Sequence, residues 1–292
     1  MGHTTTESAQ TRITCDVLVV GGGPAGSTIS TLLAEQGWNV HVLEKDSHPR
    51  FHIGESLLPQ SLPILKRLGV LPEVEQIGII KYGAEMVSHR YGRSQMFYFA
   101  KAFDESQPYA FEVKRSEFDA ILVKNAIAKG VTIHEGVRAQ RVEFRPGQSS
   151  LVHTEDREGR PRTWEAKFVV DASGRDTFLS NQLGGKRRSQ QHSCAAIFGH
   201  FEEVGRLLGK DEGNITAGWL NDGWCWLIPF KDGTTSVGVV CHPDYIKSRT
   251  VPLDQFLLDT LRQSPPIAQR MERAKPLTET YAAANFSYRR DT

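Results

Sequence analysis

A glycine-rich hexapeptide carries the clearest chemical signal in the sequence. It reads G-x-G-x-x-G over Gly21, Gly22, Gly23, Pro24, Ala25 and Gly26. In such a motif the first glycine permits a tight turn, the second lets a diphosphate approach the backbone, and the third lets a helix pack closely on a strand. The free amides at the helix N-terminus then bind the anion. The pattern predicts a dinucleotide site, against the alternative of a glycine turn without a ligand.

An acidic residue at the expected distance strengthens this prediction. Glu44 lies 18 residues beyond Gly26, where a carboxylate can hydrogen-bond a ribose 2′-hydroxyl and disfavour the 2′-phosphate of NADP. Lys45 follows Glu44 directly and is counted with the predicted cofactor contacts. The glycine motif by itself does not separate NAD from FAD.

The elements around the motif agree with a nucleotide-binding fold. Residues 13–20 are almost continuously apolar, as in a buried parallel strand. A helix over 24–36 and a strand over 39–44 complete a βαβ unit, and a strand over 167–171 is expected to return to the same sheet. Short alternating runs broken by turns between 131 and 170 predict a β-meander. We therefore expect an α/β, Rossmann-like domain with a parallel sheet and a β-meander.

A second, antiparallel sheet is predicted by strand-like runs at 194–201, 215–230 and 235–240. One helix is expected to follow the loop 51–59 and end near Leu68, and another, capped by Ser116, to cover 116–129. The predicted organisation has a disordered tail at 1–12, a cofactor-binding domain at 13–80 and 114–185, and a substrate domain at 81–113 and 186–292.

Composition narrows the class of protein. The 35 basic and 34 acidic residues nearly balance, which argues against nucleic acid or an anionic membrane as a partner. The four cysteines are scattered without a CxxC pair, so neither a zinc site nor a disulfide framework is indicated. No segment approaches the roughly 18 apolar residues of a membrane span. We expect no metal site, reduced thiols and a cytoplasmic location.

Two further segments bring in a resemblance to a known group of proteins. The order of Gly21 to Gly26, Arg115-Ser-Glu-Phe-Asp119 and Asp171-Ala-Ser-Gly174 resembles the flavoprotein monooxygenase superfamily, in which aromatic hydroxylases, prenyl reductases and halogenases share one FAD-binding fold. The resemblance implies FAD as the cofactor, with Arg115 close to the flavin and the segment from Asp171 to Gly174 returning to it. Taken alone, an arginine at the start of a helix, such as Arg115, is more often a surface cation.

The segment from Phe51 to Pro59, F-H-I-G-E-S-L-L-P, resembles a stretch of flavin-dependent halogenases that act on phenolic or carrier-tethered aromatic substrates. This resemblance implies that the loop runs over the flavin and that Glu55, with Ser56 beside it, contacts the cofactor. The residue types also allow a purely structural interpretation, in which Ser56 caps the following helix and Pro59 lies in its first turn.

Two tryptophans resemble the W-x-W-x-I-P motif of the same halogenases. On a strand, the two-residue period puts Trp224, Trp226 and Ile228, followed by Pro229, along one apolar wall. The resemblance implies that this wall separates flavin from substrate. Two indoles on one strand face are, however, more often ordinary core.

Lys81 is the candidate catalytic residue. It stands in Ile79-Ile-Lys-Tyr-Gly-Ala84, which is similar to the F-K-x-G-A stretch that carries the essential lysine of tryptophan halogenases. A lysine buried among apolar groups has its neutral amine favoured and can act as a nucleophile or as a hydrogen-bond donor to a small oxidant. Most lysines are instead simply solvated.

The resemblance as a whole implies halogenation of an electron-rich aromatic substrate, free or carrier-tethered, by hypohalous acid formed from O₂ and chloride or bromide. No second dinucleotide motif is visible, so FADH₂ is expected from a separate flavin reductase. The family continues beyond the stretch that matches Asn285 to Arg289, and a truncated sequence is expected from the end at Thr292. The alternatives are an FAD-dependent aromatic hydroxylase or prenyl-type reductase, and a non-catalytic nucleotide-binding fragment.

Overall fold

A computed structural model of the chain describes residues 12–88, 90–189, 193–284 and 286–290. Except for its last residue, the predicted tail at 1–12 lies outside these residues. The strands are β1 Ile13–Val20, β2 Val40–Glu44, β3 Ile79–Lys81, β4 Gly83–Ser88, β5 Arg93–Tyr98, β6 Ala110–Glu112, β7 Thr132–Glu135, β8 Val137–Glu143, β9 Ser150–Asp156, β10 Pro161–Asp171, β11 Lys186–Arg188, β12 Ala195–Glu202, β13 Ile215–Leu220, β14 Gly223–Pro229, β15 Thr235–Cys241, β16 Lys275–Pro276, β17 Tyr281–Ala284 and β18 Tyr288–Arg290. The helices are α1 Pro24–Ala34, α2 Ser61–Leu68, α3 Leu71–Ile77, α4 Arg115–Ala128, α5 Phe178–Gln182, α6 Pro243–Lys247, α7 Leu253–Leu261 and α8 Pro265–Met271.

The described residues group into two compact units. Of these residues, the first unit holds those up to 50 and those from 119 to 186, and the second holds those from 51 to 118 and from 187 onwards. The sequence-based division instead assigned 51–80 and 114–118 to the cofactor-binding domain. These segments group with the second unit because residues 55–57 and the strands β3 and β6 pair with one another there. Which segments bind the cofactor remains a prediction.

The first unit is built on a six-stranded sheet in the order β7-β2-β1-β10-β9-β8. The first four strands of this order run parallel, and β9 and β8 continue from β10 as an antiparallel meander. Leu18 and Val19 of β1 are fully buried on opposite faces, which explains the continuous apolar run. The predicted Rossmann-like sheet and meander are confirmed, and β10 is longer than predicted because it belongs to both.

The second unit contains a larger, mainly antiparallel sheet in the order β16-β12-β15-β14-β13-β4-β5, with β17 also pairing with β12. One junction is parallel, between β13 and β4. Side chains of α7 and α8, including Leu257, Leu261 and Ile267, pack with Cys225 and Val239 of the sheet in one core cluster. The predicted antiparallel sheet is confirmed, but the run 215–230 is two strands joined by a turn at 221–222.

Two predicted helix caps are wrong. Helix α2 begins at Ser61 after Gln60, whereas Ser56 lies five residues earlier and pairs with Glu112 in an isolated β-bridge. Helix α4 begins at Arg115, so Ser116 lies inside it. Local sequence suggested a cap in both places because serine hydroxyls favour helix ends. Pairing with Glu112 instead places Ser56 outside the helix, and Ser116 lies in the first turn of α4. No helix in the described ranges has the length and apolar character needed to cross a membrane.

Candidate active site

The glycine turn of the first unit packs against the residues that directly follow β10. A Cβ on Gly26 would lie 1.8 Å from the carbonyl oxygen of Gly21, and one on Gly21 would lie 2.4 Å from the carbonyl oxygen of Ala172. A Cβ on Gly23 would meet only Arg50, at 3.7 Å. The first and third glycines therefore serve close packing, and the second leaves open space beside the backbone.

Helix α1 starts at this open position. Gly23 is its N-cap and has no side-chain cap, and Pro24 occupies the first helical position. The amides of Ala25 and Gly26 precede the first i→i−4 bond, which Ser27 donates to Gly23. Free amides, the positive end of the helix dipole and the absence of a Cβ together fit a diphosphate group.

Glu44 is fixed beside the same turn. Its carboxylate accepts hydrogen bonds from the amides of Gly22, at 2.8 Å, and Asp46, at 3.0 Å, with Arg50 at 3.4 Å. Burial raises the pKa of Glu44, but the two amides and the nearby cations outweigh it and hold the pKa below its usual value. Glu44 is therefore an ionised acceptor at the end of β2, as a ribose contact requires, although both oxygens already hold the turn.

The other predicted cofactor residues of this unit have local partners. The Asp171 carboxylate accepts from the amides of Ser173 and Leu179 and so closes the turn after β10. Gly174 adopts a positive φ of 60° in that turn, and Lys45 forms an exposed ion pair with Asp176. Their contacts with a cofactor remain predictions.

In the second unit, Arg115 holds the loop that contains Gly54. Its side chain is 9% exposed, and Nη1 donates to the carbonyl oxygen of Ile53 at 3.0 Å. A Cβ on Gly54, which has φ 109°, would lie 3.0 Å from the same nitrogen. Arg115 is therefore a buried loop anchor and not the surface cation that its position at a helix start also allowed.

Glu55 follows in this loop and points into the second unit. It is 1% exposed, and its Oε1 lies 2.8 Å from Nε2 of His200 on β12. Its other oxygen, Oε2, is buried without a hydrogen-bond partner. The backbone carbonyl of Glu55 accepts from Val113. The cofactor contact implied for Glu55 remains a prediction, and His200 is a partner that the sequence did not suggest.

Lys81 is buried, as predicted, but its neighbours are polar as well as apolar. Its exposed fraction is 1%. The amine donates to Oγ of Ser56 and lies 3.3 Å from Oε1 of Glu112. The ring centroid of Phe99 lies 5.8 Å from Nζ, which adds a weak cation–π contact.

Burial and mutual attraction act in opposite directions on the pKa values of Lys81 and Glu112. Burial lowers the pKa of Lys81, and the attraction of Glu112 partly reverses this. Burial raises the pKa of Glu112 to about 8, because the attraction of Lys81 and the hydrogen bond from Ser56 offset only part of this effect. Perturbed titratable groups of this kind concentrate at functional sites, which makes the cluster of Lys81, Ser56 and Glu112 the candidate catalytic group of this unit.

The tryptophan wall lies on β14. Trp226 and Ile228 are buried with Phe198 and Val240 in one apolar cluster, whereas Trp224 is 41% exposed. Pro229 ends the strand. The indole of Trp226 donates to Oγ of Ser236 at 3.1 Å and covers Gly238, whose added Cβ would lie 2.3 Å from the ring. The predicted shared face is thus present, and its barrier role remains a prediction.

Glu112 and His200 are the site residues that the sequence analysis missed. Glu112 interrupts a short apolar run whose neighbours Phe111 and Val113 are buried, and His200 stands inside an apolar strand. A polar residue inside an apolar run was the feature that could have marked either residue as part of a site. The partner of Glu112 could not be identified from the sequence, because Lys81 and Glu112 are 31 positions apart.

Comparison with known proteins gives a family. A family model described as an FAD binding domain matches residues 14–251. A tryptophan 2-halogenase of Chondromyces crocatus is 36% identical over 255 residues, which are 85% of this chain and 48% of the relative. A 1H-pyrrole-2-carbonyl-(peptidyl-carrier protein) brominase of Pseudoalteromonas luteoviolacea is 32% identical over 280 residues, or 94% of this chain and 66% of the relative.

A solved structure agrees with these relatives. The myxobacterial chondrochloren halogenase, described as a variant of FAD-dependent halogenases, superposes with a TM-score of 0.88 at 32% identity and covers 94% of this chain and 65% of that chain. The chain thus spans between about half and two thirds of the length of these relatives. The chain belongs to the FAD binding domain family, and its relatives include FAD-dependent halogenases.

Proposed function

We propose that this chain binds FAD and takes part in halogenating an electron-rich aromatic ring of phenol, pyrrole or indole type, through hypohalous acid and Lys81. The observation that carries the proposal is the buried Lys81 amine between Ser56 and Glu112. Halogenases among the relatives give the reaction class. Reduced FAD, when bound, would deliver two electrons to O₂, and chloride or bromide would deliver two more, which gives water and hypohalous acid.

The residues of the first unit bind and orient the cofactor in this proposal. The amides that begin α1 hold the diphosphate, and Glu44 accepts a hydrogen bond from the ribose. In the second unit, Arg115 holds the loop that carries Glu55 and Ser56 through its hydrogen bond to the carbonyl oxygen of Ile53. The wall of Trp224, Trp226 and Ile228 keeps the aromatic substrate from direct contact with the flavin.

Lys81 then directs the halogen. Its amine either donates a hydrogen bond to hypohalous acid or takes up the halogen as a haloamine, and the ring is attacked in the next step. A lysine held in one position by a buried acid and a hydroxyl is suited to either role, because the reacting atom is fixed before the substrate arrives.

The proposal includes partners. FADH₂ comes from a separate flavin reductase, because a second dinucleotide motif is not visible in the sequence. The pyrrole brominase relative is named for a substrate on a peptidyl-carrier protein, which supports a carrier-tethered aromatic as one candidate substrate. The cytoplasmic location, inferred from four scattered cysteines that are free thiols, belongs to the same proposal.

Product analysis tests the function directly. The protein is supplied with FAD, a flavin reductase, NADH and chloride or bromide, and a panel of phenols, pyrroles and indoles is examined by mass spectrometry. We expect halogenated product from the wild type. The variant Lys81→Met should abolish product while flavin oxidation continues, because the amine is removed and the bulk of the side chain is kept.

The exposed Lys66→Met, on the same unit, is the matched control and should leave product formation unchanged. Halogenated product from Lys81→Met would refute the role of Lys81. Oxygenated product without added reductase would instead favour a hydroxylase, and bound FAD without product from any substrate would favour a non-catalytic fragment.

A further inference from the structure

Glu112 is a fully buried acid that faces the Lys81 amine across two paired strands. In the antiparallel ladder of β3 and β6, Ile79 is opposite Glu112 and Lys81 is opposite Ala110. The side chains of Lys81 and Glu112 therefore lie on one face as diagonal neighbours, within reach of long side chains. Their exposed fractions are 1% and 0%. The strand register alone is enough to bring the two charges together.

Ser56 closes this arrangement. It pairs with Glu112 in a β-bridge, so that its side chain lies on the same face. The Ser56 hydroxyl donates to Oε1 of Glu112 at 3.2 Å and accepts from the Lys81 amine. Three side chains from three separate segments thus share hydrogen bonds around one amine, which restricts where its nitrogen can lie.

A buried ammonium requires a nearby negative charge. Removing one partner of a buried ion pair leaves an uncompensated charge, which the group avoids by losing its proton. The other acid close to this cluster, Glu55, acts on Glu112 by charge repulsion, but its Oε1 is paired with His200. Glu112 is the acid in ion-pair contact with the Lys81 amine.

We propose that Glu112 is a positioning residue that keeps the proton on Lys81, so that the amine meets the oxygen of hypohalous acid as an ammonium donor. This inference rests on the function proposed above. The π electrons of the ring form the new carbon–halogen bond, and the oxygen–halogen bond breaks with its electron pair on oxygen. That oxygen takes a proton from Lys81 and leaves as water. The proton lost by the ring carbon restores the ammonium. Glu112 stays a carboxylate in this step because the ion pair holds its shared proton on the Lys81 amine, although burial raises the pKa of the acid.

Titration of Lys81 tests the inference without cofactor or activity. In protein labelled with ¹³C at lysine Cε, the Lys81 resonance is assigned by its loss in Lys81→Met, and its shift is followed against pH. Because an opposite charge at this distance moves a pKa by about 1–3 units, the midpoint in Glu112→Gln should fall by about 1–3 pH units. Glu112→Asp, which keeps the charge, should return most of the shift.

The exposed Glu117→Gln is the matched control and should leave the Lys81 midpoint where it is in the wild type. An unchanged midpoint in a folded Glu112→Gln variant would overturn the inference. If that variant does not fold, the reciprocal measurement uses Lys81→Met and infrared difference spectra. The carbonyl band of a protonated buried acid should then appear at neutral pH in Lys81→Met but not in the wild type, and equal bands in both proteins would overturn the inference.

The pH dependence of halogenation distinguishes the ammonium from the haloamine role. An ammonium donor is lost as pH rises through the pKa of Lys81, so the falling limb of the rate should move to lower pH in Glu112→Gln, by the amount seen in the titration. A rate that instead rises in that pH range would show that the neutral amine reacts and would overturn the inference. A shifted titration without product from any protein would support the proton-holding role and count against the proposed function.

Discussion

The two glycines Gly23 and Gly26 give the sharpest test of the nucleotide site, because the same substitution should fail in two different ways. In Gly26→Ala the new Cβ would lie 1.8 Å from the carbonyl oxygen of Gly21, whereas ordinary contact begins at 3.4 Å. Turn and helix would have to separate by about 1.6 Å, the difference between these two distances. In Gly23→Ala the nearest heavy atom is 3.7 Å away, on Arg50, so the fold has room for the methyl group.

The competing energies favour a loss in the first case. An alanine in a helix is more stable than a glycine by about 1 kcal/mol or less, and inserting atoms into a packed site costs about 1–3 kcal/mol or more. Because the clash is with backbone, we take the upper end and expect Gly26→Ala to lose about 2 kcal/mol of unfolding free energy. Gly23→Ala should lose no more than about 1 kcal/mol, as expected for an alanine at an N-cap.

Binding should rank the variants differently. The Cβ of Gly23→Ala would enter the space beside the first amides of α1, so FAD affinity should fall at least about tenfold, or about 1.4 kcal/mol. Unfolding in urea followed by circular dichroism gives stability, and quenching of flavin fluorescence gives affinity. Wild-type stability of Gly26→Ala would refute the close approach of helix and turn. Wild-type affinity of Gly23→Ala would refute a diphosphate at this position.

Two further predictions concern stability. The pKa of His134 is lowered to about 4 by burial and by His41, so the folded state resists its protonation. Stability should fall by about 1–2 kcal/mol, after discounting for partial exposure, as pH drops from 6.5 towards 4. His134→Gln should flatten this slope in urea unfolding at several pH values, and an unaltered slope would contradict the assignment. Gly238→Ala should cost about 1–3 kcal/mol and alter the near-ultraviolet dichroism of Trp226, because its Cβ would lie 2.3 Å from the indole. Gly199→Ala, whose nearest atom is 3.4 Å away, should cost less, and equal losses would argue against the indole contact.

The nucleotide cradle was predictable because its parts are close in sequence. Strand, glycine turn, helix and acid all lie between residues 13 and 44, and the structure places β1, α1 and β2 within two residues of the predicted bounds. Each glycine has a local steric reason to be a glycine. Periodicity also predicted both sheets correctly, since burial of alternate or consecutive side chains leaves a direct trace in the sequence.

The sequence did not predict that helices α2 and α4 begin at Ser61 and Arg115. The local preference of serine for a helix cap indicated other starting points. Ser56 had the right type for a cap, but pairing with Glu112 took its backbone and its hydroxyl. The grouping of residues 51–80 with the second unit has the same origin. A short segment groups with the unit that contains its strand partners, and these partners are distant from it in sequence.

The sequence by itself determined the family, the glycine turn with its acid, and the candidate lysine, because each is a contiguous pattern whose residue types are set by short-range sterics or shared with relatives. Only the tertiary structure decided the surroundings of that lysine. Strand register brought Glu112 onto the face of Lys81, and the loop at Glu55 met His200 on a strand 145 residues away. Such pairings depend on which strands lie side by side, and the packing of the whole unit decides that order.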